Sequence, residues 1–379
     1  MIRARTLAIL IALTIAVIAG IFATKDGGVP SAPQAGARAG DKVFPQLSQQ
    51  INDVTRVTVA TDGGKTVIEQ QDGQWVLPDK ANFPADIGKV RQIMLGMVDL
   101  HRIEPKTRNP ELFPQLGLID PKPGAEDSRS VELADSSGSV KASLLIGKEK
   151  PAAGTTRRSE YYVRVGDEDQ AWLAEGNVPV PRAANEWLNP QLINIEQKRL
   201  ASLEVQHSDG GIVRIEKVGP DAQDFAIVEP KRDEKIRSAF TVNNMAQSFA
   251  QLMLQDVVAA DAHPLPEPLH FSAELTTFDG LKVKLDVAKS GDEFLARISA
   301  DVAEPTPPAA NEATSGQPTS TDQPPATKAD SAADAEAIRS RGAKWHFKLS
   351  SFAVDSIAKR AADLYEVPTD KDADASANP

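Results

Sequence analysis

The 379-residue chain contains no cysteine. That excludes disulfides, thiolate metal sites, a cysteine nucleophile and the lipidated cysteine of a lipoprotein. Histidine is scarce. His101, His207, His263, His270 and His346 include no i, i+4 pair and no H-E-x-x-H run, so a zinc helix is not expected. Aromatic residues make up only 5%. Positive charge is in deficit, with 42 Lys and Arg against 53 Asp and Glu and a net charge of −11. General nucleic-acid binding needs a basic face that displaces counterions from phosphate, and this balance argues against it. Gly147-Lys148 lacks the upstream glycine and the following Ser or Thr of a phosphate-binding loop, and neither G-x-S-x-G nor G-x-G-x-x-G occurs. Asp370, Asp372 and Asp374 begin like a calcium loop but lack its glycine and its closing glutamate. No catalytic residue, metal ligand or cofactor is expected.

What is present begins with an address. Thr6 to Thr24 is a run of nineteen residues without a charge, roughly 28 Å as a helix and enough for a hydrocarbon core. Arg3 and Arg5 precede it, which predicts a cytoplasmic N-terminus and an exported body. Small residues Gly20 and Ala23 near its end allow a cleaved signal peptide instead. The length of the run favours an uncleaved anchor over residues 1–24. Residues 25–42 are rich in Gly, Ala and Pro and read as a flexible tether.

The body reads as one module written twice, over 43–190 and 191–368. Val54–Val59, Thr61-Asp62-Gly63-Gly64 and Lys65–Glu69 recur about 147 residues later as Leu200–Val205, Ser208-Asp209-Gly210-Gly211 and Ile212–Glu216. Alternating strands around an Asp-Gly turn predict a β-hairpin in each copy. A third strand follows, at Gln74–Leu77 and at Asp224–Val228. Then come residues at steps of three and four, forming one stripe: Ile87, Val90, Met94, Met97 and His101 in one copy, and Val242, Met245, Phe249 and Leu252 in the other, where Met253 and Val257 widen it. Each stripe predicts one helix laid on the sheet. Two further hairpins follow, and each copy closes near a proline, at Trp187–Pro190 and at Leu364–Pro368. The expected fold class is α+β: two tandem related modules of antiparallel strands with one covering helix each, behind an N-terminal transmembrane helix.

Where the first copy turns with Gly166-Asp167-Glu168-Asp169, the second carries about forty Pro-, Ala-, Ser- and Thr-rich residues. Residues 301–342 are therefore expected to be a disordered insertion, and 369–379 a disordered tail. Much of the acidity falls in these two segments. The four tryptophans, Trp75, Trp172, Trp187 and Trp345, recur at comparable module positions and read as core. His346 is expected to alternate outward between Trp345 and Phe347.

The order of these features resembles the bacterial domain of unknown function 4340. The residues that carry the resemblance are Ile51–Val54, Asp72–Leu77, Phe83–Asp86, Asn109–Leu118, Leu144–Lys148, Tyr162–Arg164 and Trp187-Leu188. It extends over about 43–300, and in part over 343–368. What it implies is a membrane-anchored envelope protein, often encoded beside ABC-type transporters, with no established activity and so no catalytic residues to carry over.

One candidate contact site stands out. Lys231, Arg232, Lys235 and Arg237 form a basic loop between strand and helix of the second copy. It is either a solvated loop half-neutralised by Asp233 and Glu234, or a contact for an acidic partner or anionic lipid headgroups. Arg157, Arg158 and Arg164 pose the same choice in the first copy. The expectation is a non-enzymatic, single-pass protein of the bacterial inner membrane, held by residues 6–24, with a periplasmic body. Its partners would be proteins of an envelope or transport complex, and not nucleic acid. A binding module for a small ligand or polysaccharide in the cleft between the modules is the alternative, and an uncharacterised enzyme the third.

Overall fold

The computed structural model describes residues 38–150, 159–166, 168–232, 234–304 and 328–366. The expected anchor at 6–24, most of the tether, Arg157, Arg158 and the tail lie outside the described residues. Among the described residues no helix is long and apolar enough to cross a membrane.

The fold is mixed α+β with two antiparallel sheets and few helices. The first sheet takes β1 (Val54–Thr61), β2 (Gly64–Gln71), β3 (Gln74–Leu77), β4 (Phe83–Pro84), β5 (His101–Pro105), β6 (Arg129–Asp135), β7 (Val140–Lys150), β8 (Ser159–Val165) and β9 (Ala171–Gly176). Their spatial order is β4-β3-β2-β1-β6-β7-β8-β9-β5. The second sheet takes β10 (Leu200–His207), β11 (Ile212–Glu216), β12 (Ala226–Glu229), β13 (Asp256–Ala259), β14 (Phe271–Thr277), β15 (Leu281–Ser290), β16 (Glu293–Val302) and β17 (Trp345–Leu349), in the order β12-β11-β10-β14-β15-β16-β17-β13. Apart from β4, the two orders are the same.

Local chemistry explains the elements. Asp72 (φ 49°) and Gly73 (φ 80°) form the two-residue turn between β2 and β3. Positive φ at both positions matches the right-handed twist of the flanking strands, and Asp-Gly tolerates it. Helix α1 (Ile87–Val98) starts where the Asp86 carboxylate accepts the Gly88 and Lys89 amides. Helix α2 (Ala239–Ala250) starts where the Ser238 hydroxyl accepts the Thr241 amide. These caps satisfy amide donors that the helix itself leaves unpaired. Val90, Ile93 and Met97 face inward on α1, as do Val242, Met245 and Phe249 on α2.

Three expectations need correction. The helical stripes do not reach His101 or Val257: α1 ends at Val98 and α2 at Ala250, and both residues lie in edge strands, β5 and β13. Ile87 is correspondingly exposed and Ile93 takes the inward place. The insertion expected to be disordered over 301–342 is structured at both ends. Asp301 and Val302 finish β16, and Lys328–Gly342 is a fifteen-residue helix, α3. Alanine-rich sequence favours helix intrinsically, and Ser331, Ala335 and Ile338 are buried. Gly342 lies so close to β16 that a Cβ there would sit 1.9 Å from the Ile298 carbonyl oxygen. Residues 305–327 lie outside the described residues. The third correction is His346, which is buried because its Nδ1 meets the His263 carbonyl oxygen at 2.8 Å on the loop that covers it.

One buried core runs through both sheets. They meet where the β3–β4 end of the first sheet touches β13 and β17 of the second. Phe83 stacks edge-on against Trp345 with centroids 5.0 Å apart and reaches Phe347 at 6.4 Å. The Trp345 indole donates to the Ala81 carbonyl at 3.0 Å, and Lys80 pairs with Asp256 at 2.7 Å.

Candidate functional site at the open end of the second sheet

Each sheet is closed by the segment that follows its last hairpin, and the two closures use the same contacts. In the first, Asp86 N donates to Trp187 O at 2.8 Å, and Ala85 bridges Leu188. In the second, Arg237 N donates to Leu364 O at 2.9 Å, and Ile236 bridges Tyr365. Arg182 pairs with Asp62 and its amide donates to Glu186, while Arg360 pairs with Asp209 and its amide donates to Asp363. The Arg–Asp pair is the same in both closures, and where residue types differ the positions and the partners still correspond.

The second closure shapes the basic loop. The Tyr365 hydroxyl donates to Pro230 O at 2.9 Å, and Arg237 Nε donates to Tyr365 O at 2.6 Å. Arg232 lies over the Tyr365 ring, 5.6 Å from its centroid. Lys235 stands 3.6 Å from Glu366 with its side chain 79% exposed. Lys231 and Arg232 are exposed. Arg232 and Arg237 thus hold Tyr365, Lys235 stands beside the next residue, Glu366, and Lys231 is exposed on the same loop. Exposed apolar groups lie on the same stretch: Val228 on β12, Ile236, and Phe240 at the start of α2.

Arg164 belongs elsewhere. It lies 5.5 Å from the Phe113 ring centroid and lines a hollow of about 350 Å³ with Pro110, Leu118 and Lys122. Of the acidic hairpin turn, Glu168 pairs with the buried Arg102 at 3.6 Å. Burial raises the Glu168 carboxyl, and Arg102 opposes that rise in part. Trp187, Trp172 and Trp345 are buried, and Trp75 packs against the core. Among the described residues no group of three or more His, Asp or Glu is placed to hold a metal ion.

Two features escaped sequence reasoning. Arg199 donates to Asp279 at 3.0 and 2.8 Å and to Asp334 at 2.7 Å, and Ser331 Oγ reaches the same Asp279 oxygen at 2.6 Å. This network fastens α3 to the sheet. Its sequence signal is the spacing of small or apolar residues at Ser331, Ala335, Ile338 and Gly342, which is helical though weakly apolar. The other is His207, buried beside Arg360 with Nε2 3.3 Å from Lys359 O.

Burial first, and then the Arg360 charge, lower His207 below its ordinary 6.5. The unfolded chain therefore takes up the proton first, so stability is full above about pH 6.5 and falls as pH drops toward the lowered folded value. Thermal unfolding between pH 5 and 7.5 should show that fall, and His207→Gln should flatten it. An unchanged slope in the variant would exclude His207 as its source.

A family model, domain of unknown function (DUF4340), matches residues 75–269, a narrower span than the resemblance implies. No curated protein and no solved structure matches the chain. The matched stretch begins in β3 and ends just before β14, so it takes in the basic loop and, of the contact between the sheets, Lys80, Phe83 and Asp256 but not Trp345 or Phe347. It covers more than half of the residues, and the chain belongs to this family of unknown function.

Proposed function

We propose that the protein is a non-enzymatic scaffold of the bacterial envelope, anchored by residues 6–24, that assembles with an ABC-type transport system. On this reading the two sheets are tandem copies of one module, and the body is periplasmic. The observation that carries it is the uneven cover of equivalent strands. In β3, Val76 and Leu77 are buried, and β4 pairs along the strand's outer edge. In β12, Ala226, Val228 and Glu229 are exposed and Ile227 is only half-buried. An edge strand with no strand beyond it among the described residues, exposed side chains and a basic loop beside it is suited to receiving another protein chain.

The test is affinity purification of the full-length chain from crosslinked bacterial membranes. Transporter subunits should be recovered in amounts comparable to the chain itself. Recovery of the chain with no transport or envelope protein would count against the scaffold reading.

A ligand-binding role has one observation in its favour. A shallow hollow of about 560 Å³ on the second sheet is lined by Glu204, Arg214, Glu216, Lys217, Glu274 and Lys282. Its charged walls suit a polar ligand. Thermal shifts across a glycan panel would support this alternative, and a flat response would remove it.

A further inference from the structure

The geometry points to a second copy of this chain as an occupant of the open end, docked head to tail by the contact that already joins the two sheets. This goes beyond the scaffold reading and does not depend on a transporter.

Register defines the equivalence. Lys42 bridges His101 at the start of the first module, and Gln191 bridges Met253 at the start of the second. Three residues on from each bridge partner stand Glu104 and Asp256. Glu104 faces Leu173 beside the Pro105–Trp172 pair, and Asp256 faces Lys348 beside the Val257–Phe347 pair. On the other side, Lys80 lies five residues before Ala85, which bridges Leu188, and Lys231 lies five residues before Ile236, which bridges Tyr365. The internal pair Lys80–Asp256 is therefore matched by Lys231 at one end of the molecule and Glu104 at the other.

Both members of the matching pair reach the surface. Lys231 is exposed, and the Glu104 side chain is 57% exposed and accepts from Lys106, just past β5, at 2.7 Å, a contact that pairing between copies would share or replace. The charges are opposite, as they are in the internal pair. Because the two surfaces are different patches of one chain, the contact is heterologous. It can propagate from copy to copy or close into a ring. The aromatic centre is not repeated: by the same register, Glu234 stands where Phe83 does and Gln170 where Trp345 does. The contact between copies is consequently more polar than the internal one and sensitive to salt.

The cysteine-free chain makes the test clean. Glu104→Cys and Lys231→Cys are placed in separate full-length copies, mixed in detergent and treated with a short bismaleimide, whose reach suits a salt-bridge distance better than a disulfide does. Lys80→Cys with Asp256→Cys in one chain reports that the reagent spans the internal pair. A covalent dimer is expected from the mixture and from neither variant alone. No dimer in the mixture, with the internal control linked, would overturn the proposal. A dimer from either single variant by itself would overturn it too, since that marks a two-fold contact.

Charge exchange gives a second measurement. Glu104→Lys should weaken self-association about tenfold in sedimentation at low salt. Adding Lys231→Glu to the same chain should restore it, and failure of that rescue would contradict the pairing. Loss of self-association with transporter recovery intact would remove this inference and leave the scaffold reading standing.

Discussion

Phe83→Ala is expected to destabilise the chain by about 3–5 kcal/mol, the usual cost of emptying a buried aromatic site. It should also split one unfolding transition into two. Phe83 is 3% exposed, and its ring contacts Trp345 and Phe347 of the other sheet. The residues around it belong to a single core that runs from Val43 to Tyr365. Removing the ring opens a cavity where two aromatic residues of the second sheet rest on the first. Lys80–Asp256 and the Trp345–Ala81 hydrogen bond remain, but two polar contacts do not replace the apolar burial that the ring provided. Calorimetry of the full-length chain in detergent reads both effects. A loss below about 1 kcal/mol with one transition retained would mean that the sheets are held together elsewhere.

Arg199→Ala should cost about 3–5 kcal/mol and release α3 to proteolysis. Its guanidinium side chain is 14% exposed and holds Asp279, itself 9% exposed. Deleting one member of a buried pair leaves the other charge uncompensated, which is where the large cost arises. Lysine should rescue only in part, because an ammonium cannot reproduce the forked contact with Asp279 and Asp334. The same network sets an acid limit. Burial raises the Asp279 carboxyl, but the bonds from Arg199, Ser331 and Thr277 outweigh it, and the net displacement is downward from 3.8. A depressed carboxylate stabilises the fold above its unfolded value and loses that contribution as pH falls through its folded one. Wild-type stability should therefore decline below about pH 4, and Arg199→Ala should remove much of that decline. Equal acid sensitivity in the variant would assign it to other carboxylates, Asp286 foremost, which Ser272, Arg297 and Lys284 hold below its ordinary value against burial.

Much of this architecture was legible in the sequence wherever the physics is local. Alternation and Asp-Gly turns located the hairpins, and the apolar stripes located the two covering helices. The matching strand order of the two sheets was legible because the features keep their order along the chain even where residue types change. What escaped is non-local. Nothing near Asp256 in the chain says that Lys80, 176 residues away, will pair with it. The edge strands β5 and β13 were absorbed into helical stripes because apolar residues just past a helix end keep its spacing for another turn. Helix α3 was missed because its inward face is made of Ser, Ala and Gly with a single Ile. Such a face has little hydrophobic contrast but allows close approach to β16. The basic loop was visible as a charge cluster; that it stands where the first sheet's docking segment stands required the register.

The scaffold reading is tested most directly by identifying what touches the open end in the cell. A photoreactive residue in place of Val228 or Lys231 of the full-length chain, irradiated in native membranes, captures its neighbour for mass spectrometry. Val140, half-exposed at the distant β6–β7 turn, serves as the comparison position. Adducts with protein, either a second copy of the chain or a transport component, are expected at 228 and 231 and not at 140. Adducts with lipid alone, or equal capture at all three positions, would contradict the assignment of this end as a protein-docking surface.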